Sequence, residues 1–183
     1  MTGLQEDRRL PRAHVNAEFK ARCPDPREAA RRIRAAGARW AGRERQIDTY
    51  YRIGQGRLKI RESGPRAVLV WYFRGNTLRS KRSDVLLLPL SETQAAKRML
   101  GRTLGVKAVV DKVRRIYLRD NVRVHLDDVR GLGTFVEVEA VGRAKELARL
   151  RRQAEAMARV LGLLPSNLIR GSYSDLLRRP RGR

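Results

Sequence analysis

The sequence contains a single cysteine, Cys23, so no intrachain disulfide can brace the fold. No apolar run approaches the ~20 residues that a membrane-spanning helix needs, which argues against a helical membrane protein. The opening stretch, Met1 to Val15, carries acidic residues and no apolar core of its own, unlike a secretory or transit signal. A cytoplasmic protein is the expectation. Internal repeats and low-complexity blocks are also missing. Acidic residues are scarce, with 19 Asp+Glu against 42 Lys+Arg and a formal net charge of +23. Such an excess attracts polyanions, whether nucleic acid, a membrane surface or phosphorylated metabolites. Only seven of the 42 basic residues are lysine, and many arginines fall in Ala/Arg-rich helical stretches where a solvated face accounts for them. Where the cations sit is therefore more informative than how many there are.

What is present fits one domain: 183 residues, 42% of them hydrophobic, enough for an ordinary core. Residues 14–177 read as that domain, between a loose N-terminal tail (1–13) and a basic C-terminal one (178–183). Strand-like runs cover Val15 to Arg22, Gln46 to Ile53, Arg57 to Ser63, Ala67 to Arg74, Val85 to Leu90, Ala108 to Leu118, Val122 to Asp127 and Thr134 to Val141. Gly54-Gln55-Gly56, Gly64-Pro65, Asp120-Asn121 and Gly131-Leu132-Gly133 supply turns. Helices are predicted over Pro26 to Ala36, capped by Asp25 and Gly37, and over Ser91 to Leu104, opened by a Ser91–Gln94 capping box. Two more follow, a long one from Ala144 to Leu161 and a short closing one from Ser172 to Leu177. Eight mostly antiparallel strands with a few helices point to an α+β fold built on a closed barrel.

Strand residues at i, i+2 and i+4 share a face, and here the shared face is repeatedly charged. Asn16, Glu18, Lys20 and Arg22 lie opposite Val15, Ala17 and Phe19; Arg57, Lys59 and Arg61 lie opposite Leu58 and Ile60. Lys112 and Arg114 share a face, as do Arg123, His125 and Asp127, and Glu137 and Glu139. In any one strand this is an ordinary solvent-facing side. Across enough strands to close a barrel, it predicts a polar interior with helices packed outside. A barrel of ~8 strands has room for one small ligand. Grouped carboxylates suit Mg²⁺ or Mn²⁺, hard cations that prefer oxygen, while Lys and Arg on facing walls suit phosphate oxygens.

These motifs resemble the CYTH, or triphosphate tunnel metalloenzyme, superfamily, from Asn16 to Leu177. The opening strand of that family, Glu-x-Glu-x-Lys, is matched by Asn16-Ala17-Glu18-Phe19-Lys20, with Asn16 standing where the first glutamate is expected. Arg57 to Ser63 (RLKIRES) matches a basic substrate-binding strand, and Lys112 with Arg114 matches a Lys-x-Arg pair. Asn121 to Ala140 and Ser172 to Leu177 look like the class IV adenylyl cyclase version.

The resemblance implies metal ligation by Glu18, Glu137 and Glu139, and triphosphate binding by Lys20, Lys59, Arg61, Arg74, Lys112, Arg114 and Arg123. It also implies catalytic roles for Asp127, as ligand or acid/base, and for Lys112. His125 shares the inward face, where a single histidine is ordinarily structural. Cys23 is read as a partly buried bystander, and Tyr50, Tyr51 and Trp71 as packing. The implied activity is a Mg²⁺- or Mn²⁺-dependent cyclase converting ATP to cyclic AMP and pyrophosphate. A triphosphatase acting on thiamine triphosphate, inorganic triphosphate or a nucleotide stands second, and Asn16, which adds no charge to a metal site, leans away from efficient hydrolysis. A non-catalytic RNA or polyphosphate binder stands third. The expected partner is a triphosphate small molecule, ATP first, with nucleic acid secondary, no membrane, and a monomeric or homodimeric state.

Overall fold

A computed structural model describes residues 14–74, 81–163, 165–169 and 171–177, without the side chains at 14, 74, 81–83 and 165. The two expected tails, 1–13 and 178–183, lie outside the described residues. Eight strands form a closed, wholly antiparallel barrel: β1 (His14–Arg22), β2 (Arg39–Tyr51), β3 (Arg57–Ser63), β4 (Arg66–Arg74), β5 (Lys81–Leu90), β6 (Val106–Arg119), β7 (Val122–Val129) and β8 (Gly133–Gly142). Their order around the wall is β1-β5-β4-β3-β2-β6-β7-β8. Closure leaves no unpaired sheet edge, so the backbone is satisfied while the interior is free to be polar.

The outward apolar faces of β1, β6, β7 and β8 form the main core with two helices, α1 (Pro26–Ala35) and α3 (Leu147–Val160). Ala17, Val124, Val136 and Val138 meet Ile33 of α1 and Leu150, Ala154 and Met157 of α3, all buried. Sequence explains where α1 starts and stops. The Asp25 side chain accepts hydrogen bonds from the Arg27 and Glu28 amides at 2.9 and 3.0 Å, and Pro26 occupies the first turn, where its missing N–H costs nothing. The chain leaves the helix through Gly37 at φ 80°, a conformation that disfavours residues with a Cβ.

Several boundaries differ from the sequence expectation; β5 begins at Lys81 rather than Val85, and β6 at Val106 rather than Ala108. β2 starts at Arg39 rather than Gln46, because β6 pairs with it from Arg39–Leu118 onward. The charged segment RWAGRER hides this extension; a register shift between Trp40 and Gly42, with Gly42 at φ 147°, breaks its alternation. Trp40 packs edge-on against Tyr117 at 5.2 Å. The Ser91–Gln94 capping box does not form. Leu90 is still paired with Ala67 in the barrel, so Ser91 is occupied in turning the chain, and α2 (Thr93–Leu104) begins after Glu92 without a side-chain cap. The long C-terminal helix opens as a 3-10 turn over Ala144–Glu146 before α3 proper.

The closing helix, α4 (Tyr173–Leu176), does carry a capping box: the Ser172 hydroxyl and the Asp175 carboxylate bond each other's backbone N–H. Asp175 also binds Arg57 at 2.9 Å and Lys107 at 3.0 Å, tying α4 to the barrel wall. Upstream, the Ile169 amide donates to the Lys20 carbonyl. The C-terminal segment thus crosses one end of the barrel, and Tyr173 plugs it, 4.9 Å from Phe135. No helix among the described residues is long and apolar enough to cross a membrane.

Candidate functional site: a charged cavity inside the barrel

Alternation carries the charged side chains inward. Asn16, Glu18 and Lys20 from β1, Lys59 and Arg61 from β3, Lys112 and Arg114 from β6, Arg123 from β7 and Glu137 and Glu139 from β8 line one cavity. Its floor is apolar and aromatic, with Tyr50, Val70, Tyr72, Val85 and Tyr173. Cross-strand register sets the layers. Glu18 stands opposite Glu139, and Lys20 opposite Glu137, across β1 and β8. Arg123 stands opposite Glu139, and His125 opposite Glu137, across β7 and β8.

Two groups of ion pairs divide the interior. In the first, Asp48 of β2, with 0% exposure, accepts from Lys59 at 2.8 Å, from Arg61 through Nε and Nη2 at 2.8 and 3.0 Å, and from Lys112 at 3.2 Å. Burial alone would push the Asp48 carboxyl upward, but Arg61, Lys112 and Lys59 hold it well below the usual carboxylate range. The lysines feel the opposite pressure. Burial, reinforced by Arg114, lowers Lys112 to about 7, and burial with Arg61 lowers Lys59 to about 8. Three cations share one carboxylate, so this wall has positive charge to spare for an anion.

In the second group, Arg114 clasps Asp127 through Nε and Nη2 at 2.7 and 2.6 Å, and Nη2 also reaches Glu137 at 2.7 Å. Lys20 binds the other Glu137 oxygen at 2.9 Å. Tyr173 donates its hydroxyl to Asp127 at 2.8 Å, and the Lys20 ammonium sits 4.0 Å from the centre of the Tyr173 ring. Burial opposes ionisation of Glu137, yet Lys20 and Arg114 hold its pKa well below the ordinary value. Ligand atoms of His125, Glu137 and Glu139 lie within 4.8 Å of one another. The His125 Nδ1 and Asn16 Oδ1 are buried without a hydrogen-bond partner among the described residues. Burial, then the nearby Arg114, keeps His125 well below its usual pKa and hence neutral.

Most residues singled out from sequence thus meet at one place: Glu18, Lys20, Lys59, Arg61, Lys112, Arg114, Arg123, Glu137 and Glu139 all line the cavity. Asp127 is 1% exposed and does not line it; both its oxygens are taken by Arg114 and Tyr173. The Arg74 side chain lies outside the described residues, although its backbone ends β4. Cys23, Tyr50 and Tyr51 are buried, and Trp71 donates its indole N–H to the Gln55 carbonyl at the barrel wall.

Sequence reading missed Asp48, together with Glu44 and Gln46 on the same face. Glu44 bonds both Gln46 and Ser63. The signal was there, since Glu44, Gln46, Asp48 and Tyr50 recur with period two. Starting the strand at Gln46 left Glu44 out, and the inward face of Gln46, Asp48 and Tyr50 within it was not singled out.

A closed eight-stranded barrel with cations and carboxylates inside matches one known family over nearly its whole length: the model of the CYTH domain covers residues 14–173. The chain belongs to the CYTH domain family. A protein of Methanocaldococcus jannaschii, named as a candidate adenylate cyclase, is 23% identical over 172 residues, which is 88% of this chain and 98% of that one. Among solved structures, a Pyrococcus horikoshii protein superposes with a TM-score of 0.80 at 24% identity, covering 88% of this CYTH chain and 98% of its own. A candidate adenylyl cyclase from Hippeastrum, described as having a dominant triphosphatase activity, gives a TM-score of 0.59 at 13% identity, covering 90% and 93%. At these identities the structural likeness carries the fold.

Proposed function

We propose that this CYTH protein is a metal-dependent enzyme that binds an organic triphosphate inside the barrel and cyclises it, ATP giving cyclic AMP and pyrophosphate. The observation that carries the reading is the cavity itself, with Lys59, Arg61 and Lys112 on one wall and Glu18, Glu137 and Glu139 on another. Cations outnumber the carboxylate they share on the first wall, which favours phosphate oxygens; Arg61 presents a planar fork suited to them. Arg123, exposed at the opposite rim from Tyr173, guides the anion inward.

The chemistry of the second wall fits a divalent cation. Its donors are carboxylate oxygens, and the buried Asn16 Oδ1 and His125 Nδ1 have no hydrogen-bond partner among the described residues. Glu18, Glu137 and Glu139 would hold Mg²⁺ or Mn²⁺, which supplies positive charge next to the transferring phosphate. In the reaction the ribose 3′-oxygen attacks the α-phosphorus, the bond from the α-phosphorus to the bridging β-phosphate oxygen breaks, and the hydroxyl proton passes to solvent water as pyrophosphate leaves. Lys112, in its ammonium form once an anion is bound, neutralises charge on the departing pyrophosphate. Asp127 holds Arg114 in place through its two-point contact, a positioning role where the resemblance implied a ligand or an acid/base.

Hydrolysis is the second reading. The Hippeastrum protein's dominant triphosphatase activity belongs to a barrel of this shape, and water directed at the γ-phosphorus would use the same wall of cations. Product analysis separates the two. Purified protein is incubated with ATP and Mg²⁺ or Mn²⁺ beside a Glu137→Gln control, with products identified by mass. Cyclic AMP with pyrophosphate, reduced at least ~100-fold in the control, supports cyclisation. Orthophosphate alone moves the assignment to a triphosphatase. Absence of turnover with ATP, thiamine triphosphate and inorganic triphosphate leaves a polyanion binder, whose affinity falls steeply with salt and ignores metal.

A further inference from the structure

We propose that the imidazole of His125 is a direct metal ligand, joining Glu137 and Glu139 in a mixed nitrogen–oxygen site that prefers Mn²⁺ to Mg²⁺. The inference rests on the triphosphate-site reading and names a donor outside the carboxylate set. Three observations support it. His125 Nδ1 lies 3.9 Å from Glu139 Oε1, and the donor atoms of the three residues fall within 4.8 Å of one another. Ligand atoms held about 2.1 Å from an octahedral ion are about 3 Å apart when adjacent and about 4.2 Å apart when opposite, so the 3.9 Å between His125 Nδ1 and Glu139 Oε1 already suits a single ion, and the third donor closes by a side-chain adjustment of a few tenths of an ångström.

The imidazole is also buried at 5% exposure, with no hydrogen bond to Nδ1 among the described residues, and a buried polar atom left without a partner is unfavourable. At 3.9 Å the Glu139 oxygen is too distant to satisfy it directly, but an ion between the two satisfies both. Finally, Asn16 Oδ1, only 6% exposed, is a second buried polar atom without a hydrogen-bond partner among the described residues, and Asn16 lines the cavity that Glu137 and Glu139 line. It offers the site a neutral ligand.

The surroundings fit a cation as well. Glu137 already accepts from Lys20 and Arg114, one on each oxygen, and a carboxylate retains lone pairs beyond those two bonds. Glu139 is paired in register with both Glu18 and Arg123, so the three strands bearing these ligands are held together at one level of the wall. Nitrogen ligation decides selectivity. Mg²⁺ strongly prefers oxygen and gives up water reluctantly, whereas imidazole suits transition ions. The basis of the predicted preference is therefore the donor type, not the number of negative charges.

The test uses the full chain with Mn²⁺ alone. Pulsed electron paramagnetic resonance of the Mn²⁺-loaded wild type should show ¹⁴N modulation from a directly bound imidazole. His125→Gln should abolish that modulation and weaken Mn²⁺ binding at least ~10-fold, while Mg²⁺ affinity, read by competition, shifts less than about threefold. Bound Mn²⁺ without nitrogen modulation overturns the proposal, and so does a His125→Gln protein that binds Mn²⁺ as the wild type does. If circular dichroism shows that variant to be unfolded, the wild-type spectrum decides alone. Glu139→Gln, with His125 intact, should also lose Mn²⁺. Metal-free calorimetry with tripolyphosphate runs in parallel: no binding there defeats the triphosphate reading, whereas the nitrogen signal judges only the ligand.

Discussion

Asp48 and Glu137 are both carboxylates buried inside the same barrel, yet their company differs. Asp48 accepts from Lys59, Arg61 and Lys112; Glu137 is met by Lys20 and Arg114 and stands beside Asp127, which shares Arg114, and Glu139. One side of the cavity is left rich in positive charge and the other short of it. A buried group of ions is stable only when geometry and hydrogen bonds repay the loss of water. The cation-rich side suits an anion and the acid-rich side a cation, the two parts of the metal–triphosphate complex proposed above.

Removing Asp48 should break this comparison most severely. Asp48→Asn leaves Lys59, Arg61 and Lys112 buried together without a counter-charge, at a cost of roughly 3–5 kcal/mol. Urea unfolding should show a correspondingly lower midpoint. Tripolyphosphate should raise the variant's melting temperature more than the wild type's, because the anion replaces the missing carboxylate. A midpoint equal to the wild type's would mean that the cations do not depend on Asp48.

That Asp48 escaped notice in the sequence while Lys59 and Lys112 did not is a matter of register. Alternation is local, so the strands, their polar faces and the barrel were legible from Asn16, Lys59, Arg114 and Glu137 alone. Which charge meets which depends on pairing between strands far apart in sequence. Asp48 meets Lys59 because β2 pairs with β3, and Lys112 because β2 pairs with β6, 64 residues away. The Gly42 irregularity also cut β2 short in the reading. Asp127 shows the same limit. It lies on the inward face, but only the pairing of distant strands shows that its oxygens are bonded by Arg114 and Tyr173. His125 was on the inward face too, and nothing local distinguished a ligand from a packed ring.

The cation-rich side also predicts two pH dependences of opposite sign. Lys112, lowered to about 7 in the folded protein, ordinarily titrates near 10.5. Between those values the unfolded chain binds more protons, so this group makes folding more favourable as pH rises from about 7 toward 10.5. Below about 7 its full penalty is present. Triphosphate binding runs the other way, because the anion is held by the ammonium form and must draw a proton in. Metal-free tripolyphosphate affinity should therefore fall at least about tenfold between pH 8 and 9, with Lys59, lowered to about 8, adding to the slope. Lys112→Arg should flatten the curve to the Lys59 contribution, as followed by calorimetry. An unchanged slope would show that Lys112 is already charged before the anion arrives.

The smallest expected effect tests the residue that touches both groups. Tyr173 donates to Asp127 at 2.8 Å, while its ring lies 4.0 Å from the Lys20 ammonium and 5.4 Å from that of Lys112. Tyr173→Phe keeps the ring, the plug against Phe135 and both cation contacts, and removes only the hydroxyl. Asp127 retains its two-point pairing with Arg114, so its charge stays compensated and the loss should be close to that of one hydrogen bond, about 1–2 kcal/mol in chemical denaturation. Tripolyphosphate affinity should move less than about threefold, because the hydroxyl faces Asp127 and not the cation-rich wall. A much larger loss of affinity with stability preserved would place the Tyr173 hydroxyl in contact with the bound phosphate and join the two sides of the cavity through it.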